Sequence, residues 1–99
     1  MATVTLASKN RKITVSGTSI NTINFDAVLK EGYGIAWITM ISGTAVNFTT
    51  DGTTVTTSST LLSASGNNVK DFFEIKRGIE IQCLGGAGSE VFNINITER

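Results

Sequence analysis

Apolar residues recur at every second position in several short runs of this chain. The clearest case lies between Gly78 and Thr97. Ile79, Ile81 and Cys83 alternate with Glu80 and Gln82, and Phe92, Ile94 and Ile96 alternate with Val91, Asn93 and Asn95. A repeat of two is that of a β-strand, whose successive side chains point to opposite faces. The glycine-rich run Gly85-Gly86-Ala87-Gly88-Ser89 separates the two series and offers the positive φ angles of a tight turn. The stretch predicts a hairpin around which the remaining strands are arranged.

The same reading extends along the chain. Val4 and Leu6 alternate with Thr3 and Thr5, so residues 1–8 are a first strand or an extended N-terminal arm. Lys9-Asn10-Arg11-Lys12 reads as a basic turn, followed by a short strand at Ile13 and Val15. Ile20 falls out of phase with Ile23 and Phe25, which predicts a bulge or bend near Asn21. Residues 26–31 tolerate a helical reading but are too few for a stable helix, and form one turn or a strand end. From Ile35 to Ile41 both faces are mostly apolar, the mark of a strand covered on both sides or facing another subunit. Trp37 in such a strand is expected in the core.

Val46 and Phe48 lead to Asp51-Gly52, a turn signal. The Thr- and Ser-rich run 49–60 is polar on both faces and forms either a projecting hairpin or a loop over the sheet. Leu61 and Leu62 return to the core, residues 63–68 form a loop, and Val69, Asp71, Phe73 and Ile75 alternate with Lys70, Phe72, Glu74 and Lys76. Phe72 stands on the charged side and is a candidate exposed aromatic. The whole predicts an all-β chain: a single-domain β-sandwich or jelly-roll-like barrel over 1–99, with about seven to nine short antiparallel strands.

Composition narrows the chemistry. The chain has no histidine, which removes the usual general base and the commonest metal ligand. Its one cysteine cannot form an intrachain disulfide, and on the inward side of its strand Cys83 is a small buried hydrophobe. Eight basic and eight acidic residues balance, so no field steers the protein to nucleic acid or to an acidic membrane. The glycine-rich run lacks the lysine and the helix of a phosphate cradle. The acidic residues Asp26, Glu31 and Asp51 are not spaced as a pair or a calcium loop. Catalytic residues, metal ligands and cofactors are therefore not expected. No export signal or spanning segment is visible, which predicts synthesis in a cytoplasm.

From about Gly34 to Thr97, roughly two-thirds of the chain, the order of parts resembles a class of small bacteriophage virion proteins. The resemblance rests on a hydrophobic strand and a Gly-Thr-Ala-Val-Asn-Phe hairpin (Gly43 to Phe48) ending at Asp51-Gly52. It continues through a polar insertion, the Leu-Ser-Ala-Ser-Gly loop (Leu62 to Gly66) and the closing pair Gly-Ile-Glu-Ile-Gln-Cys and Val-Phe-Asn-Ile-Asn-Ile. The uncharged Thr/Ser run and Cys83 depart from the class. Such proteins are β-sandwich head-decoration, cement or fibre-associated proteins, often trimeric. The resemblance implies a structural, non-enzymatic protein on the virion capsid surface, bound as a homo-oligomer to the major capsid protein or another virion protein. The candidate contacts are Met1, Val4 and Leu6 of the arm and Lys9, Arg11 and Lys12 of the basic turn, with Tyr33 and Phe72 beside them. The alternative is a carbohydrate- or receptor-binding module of a phage tail or fibre, with Trp37, Tyr33 and Phe72 as the aromatic platform and Asn47 and Asp51 as polar partners.

Overall fold

A computed structural model describes residues 2–43, 45–63, 70–86 and 88–98. These residues form nine strands and no helix: β1 (Ala2–Thr5), β2 (Asn10–Thr14), β3 (Asn21–Asn24), β4 (Tyr33–Ser42), β5 (Ala45–Thr49), β6 (Thr60–Ser63), β7 (Lys70–Lys76), β8 (Ile81–Gly85) and β9 (Val91–Glu98). They make two sheets, ordered β1-β3-β8-β5-β6 and β2-β9-β4-β7. The inward positions of both sheets bury one apolar cluster. Ala36, Ile38 and Met40 of β4 and Phe92, Ile94 and Ile96 of β9 meet Ile23, Val46, Phe48, Ile81 and Cys83 of the other sheet. The small all-β sandwich expected from the alternation is the fold that forms.

The connections differ from expectation. Among consecutive strands only β5 and β6 pair with each other; every other link carries the chain from one sheet to the other. The stretch 78–97 is therefore not a hairpin. β8 pairs with β3 and β5, whereas β9 pairs with β2 and β4. Likewise Asn10, Arg11 and Lys12 belong to strand β2 rather than to a turn, and β2 lies across the sandwich from β1. Each crossing reverses the chain, so β1 and β3, two crossings apart, run parallel, with Ala2 opposite Asn21 and Thr5 opposite Asn24. This departs from the all-antiparallel expectation. It also settles the arm-or-strand alternative for residues 2–5 in favour of a strand.

Local chemistry explains several joints. The backbone amides of Val28 and Leu29 both donate to the Phe25 carbonyl, and both side chains are buried, so of the two alternatives for 26–31 the turn forms rather than a strand end. Near Asn21 the bend forms rather than the bulge, at residues 17–19. The Asn21 amide accepts from the Ser16 N–H and donates to the Ser16 and Ser19 carbonyls. The register break lies in β4, between Met40 and Ser42. The expected 63–68 loop falls, from residue 64 onward, outside the described residues.

The arch from β8 to β9 is organised by Glu90, which is fully buried. Its Oε1 accepts from the Gly88 and Ser89 amides at 2.9 and 3.1 Å, and its carbonyl accepts from Val15 N–H. Gly43 packs directly on it, with φ at +95°. A Cβ there would stand 2.6 Å from the Glu90 Cγ and 2.9 Å from its Cα, so both the backbone angle and the space require glycine.

The Thr/Ser-rich segment folds back over the outer face of the five-stranded sheet. Asn47 Nδ2 donates to the Ser59 carbonyl at 2.9 Å, Val55 N–H donates to Gln82 Oε1 at 3.0 Å, and Val55 is 2% exposed. Of the two sequence-based alternatives for this run, the loop over the sheet is the one that forms.

Cys83 lies in the core, where burial pushes its thiol up to about 12 from its ordinary value of 9.0. The folded chain therefore keeps this proton where the unfolded chain loses it. Cys83 leaves stability unchanged below pH about 9, and stability falls as pH rises from there toward about 12. Native protein at neutral pH is expected to be inert to a disulfide reagent and to react with one thiol per chain once denatured. Rapid labelling of the native state would contradict this burial.

Candidate interaction face

The two outer faces of the sandwich are unlike. One is roofed by residues 50–59 as described above. The other, the outer side of β2-β9-β4-β7, carries the exposed large hydrophobic side chains of the described residues: Tyr33 (58% exposed), Phe72 (53%), Ile41 (45%) and Trp37 (39%). Alternation along β4 puts Ala36, Ile38 and Met40 inward and Tyr33, Ile35, Trp37, Thr39 and Ile41 outward. The sequence expectation of a core Trp37 is thus corrected. Of the two readings of this strand's second apolar face, cover from within the described chain is excluded.

Ladder register fixes the pattern, because directly opposite residues share a face. The central row runs Phe72, Trp37, Asn95, Asn10 across β7, β4, β9 and β2. One row along stand Glu74, Ile35 and Thr97, then Lys76 and Tyr33. On the other side the row is Thr39, Asn93 and Lys12. Trp37 and Phe72 touch as a tilted pair, with ring centroids 5.1 Å apart and planes at 41°. Lys76 Nζ lies 6.0 Å from the centre of the Tyr33 ring, at the limit of a cation–π contact. The face is thus an apolar strip along β4 joined by Phe72 of β7, flanked by Glu74 and Lys76 on the β7 side and by Asn, Thr and Lys12 over β9 and β2.

The sequence-based contact residues divide accordingly. Tyr33, Phe72 and Lys12 lie on this face. Arg11 is exposed at the sheet edge, and its Nη1 donates to the Thr5 carbonyl at 3.3 Å, linking the two sheets. Lys9 forms an ion pair with Glu98 at 3.4 Å. Glu98 also accepts from the Lys30 amide, and that bond first, then Lys9, holds its carboxyl below the usual range. Val4 is half-buried against the core and Leu6 is fully buried, its N–H donating to the Asn24 carbonyl. Leu6 offers no surface to a partner; in its place as a contact the sequence pattern hid Trp37. Met1 lies outside the described residues.

Asn47 and Asp51 do not accompany the aromatics. Asn47 is buried on the opposite sheet, under the roofing segment. Asp51 Oδ1 accepts from the Thr53 hydroxyl at 2.6 Å and from the Thr53 amide at 3.1 Å, which hold its carboxyl below the usual range, the hydroxyl foremost. Among the described residues no group of three His, Cys, Asp or Glu side chains stands close enough to bind a metal ion. No described helix is long and apolar enough to cross a membrane.

No family model, curated protein or solved structure matches the chain.

Proposed function

We propose that this protein is a non-enzymatic structural component whose outer β4/β7 face docks on the protein surface of a larger assembly. In line with the resemblance, the assembly is a bacteriophage head lattice, and the protein is a decoration or cement subunit carried as a homo-oligomer. One observation carries this proposal. Tyr33, Trp37, Ile41 and Phe72 are gathered on one face while the opposite face of the sandwich is roofed by its own chain. Contiguous exposed apolar surface on a small domain marks a contact site, and aromatic side chains dominate binding energy at such sites.

The test compares wild-type protein with Trp37→Ser/Phe72→Ser in co-sedimentation with particles that lack it. Loss of two central aromatic anchors is expected to weaken binding by about 100-fold or more. Folding stability should fall by no more than about 1 kcal/mol, the worth of one cross-strand pair. Equal binding by both proteins would refute the proposal.

A second use of the same face is favoured by the exposure of Trp37 beside Asn95. An aromatic ring next to amide groups is the equipment for stacking a sugar ring. Binding of wild-type protein to a glycan panel, lost in the same double variant, would assign the face to carbohydrate instead of protein.

A further inference from the structure

The four-stranded sheet ends at β7, whose neighbour among the described strands is β4. β7 is seven residues long and contains no proline or glycine, and its four charged residues, Lys70, Asp71, Glu74 and Lys76, include both signs, so self-pairing is permitted only in a register that sets opposite charges together. The other end of this sheet, β2, is shorter, at five residues, and its charges are of one sign. It carries Arg11 and Lys12, and self-pairing centred on Lys12 would set two lysines face to face.

We propose that β7 pairs edge to edge with β7 of a second copy, antiparallel about a two-fold axis centred on Phe72. A two-fold axis that sets a strand antiparallel to its copy stands perpendicular to the sheet. Outward positions therefore meet outward positions, and the residue numbers of opposite pairs sum to an even constant. Phe72, Glu74 and Lys76 face outward, and position 70 shares their register. Centred on Phe72, position 70, a lysine, stands opposite Glu74 of the second copy on both sides of a Phe72–Phe72 contact. Five residues overlap, from 70 to 74. The neighbouring registers are worse. Centring on residue 73 opposes position 70 to Lys76, and centring on Glu74 opposes two glutamates. Centring on residue 71 opposes two aspartates, and centring on Ile75 leaves an overlap of only 74–76. Like charges directly opposite destabilise a ladder, and opposite charges support it. The strand's charge order thus selects one self-complementary register.

Because Trp37 is the β4 partner of Phe72, the pairing draws a continuous row Trp37, Phe72, Phe72, Trp37 across an eight-stranded sheet. The apolar strip of the docking face would double without being covered. This inference deepens the homo-oligomer part of the proposed function and is independent of its virion part. It also assigns the oligomer a two-fold rather than a three-fold symmetry.

A charge-swap cycle read by sedimentation equilibrium tests it. Wild-type protein is expected to sediment with the mass of two 10.5 kDa chains. Lys70→Glu and Glu74→Lys, each introducing two like-charge oppositions per dimer, are expected to weaken association roughly tenfold or more. The double variant Lys70→Glu/Glu74→Lys should restore it. Unchanged circular dichroism in all four proteins would exclude unfolding as the cause. A wild-type monomer at about 100 μM, well above the micromolar Kd range, would overturn the proposal. So would a trimer, or a dimer indifferent to either single swap. Loss of particle binding by Trp37→Ser/Phe72→Ser with Lys70→Glu still bound would separate failure of the dimer from failure of the docking face.

Discussion

Phe48→Ala is expected to cost the fold about 3–5 kcal/mol. Phe48 is 1% exposed and belongs to β5, yet its ring contacts come from the other sheet. It meets Phe92 of β9 edge-on at 5.3 Å and Phe73 of β7 at 5.8 Å. It therefore bridges the two layers, and truncation leaves a cavity between them rather than within one. A domain of this size has about 5–15 kcal/mol of stability in total, so the variant would stand close to unfolding. The change is read as a fall in Tm of well over about 10 °C. Phe48→Leu keeps most of the volume and should cost less than half as much. If Phe48→Ala cost under about 1 kcal/mol, the two sheets would not be packed through this residue.

The second large effect is expected at Glu90. Glu90→Ala removes the acceptor of the Gly88 and Ser89 amides and leaves a hole beside Gly43 and Gly85. Both losses fall on the arch that carries the chain from β8 to β9. A loss of about 2–4 kcal/mol in urea-induced unfolding is expected. Glu90→Gln retains an acceptor oxygen and should retain more of the stability than Glu90→Ala. Equal losses in the two variants would mean that the carboxylate oxygen does not hold the arch together.

Glu90 also marks where the sequence stopped being legible. Alternation assigned inward and outward positions correctly in β8 and β9, because Ile81, Cys83, Phe92, Ile94 and Ile96 must all leave water. It could not assign partners. A hairpin within one sheet and an arch between two sheets bury the same set of side chains, so 78–97 fits either. The discriminating feature is a glutamate folded inward to cap its own loop, and that depends on Gly43 and Val15, remote in sequence. The parallel pairing of β1 with β3 was hidden for the same reason.

The candidate face was half legible. Phe72 stood out as an aromatic among Lys70, Glu74 and Lys76, and its exposure follows from that pattern. Trp37 did not stand out, since β4 is apolar on both faces and nothing local tells which one is roofed. The roof goes to the other sheet because Asn47 and Gln82 there hold residues 50–59 by hydrogen bonds. Leu6 was misassigned because a chain end with alternating residues looks like a free arm until β3 supplies its ladder.

The openness of the β4/β7 face is tested most directly by the emission of Trp37, the one tryptophan of the chain. In dilute protein its emission should lie to the red of a core tryptophan and be quenched by acrylamide, as fits a ring 39% exposed. It should shift to the blue and become protected when the protein is bound in its assembly. A blue-shifted, unquenched Trp37 in the dilute, folded protein would contradict the account.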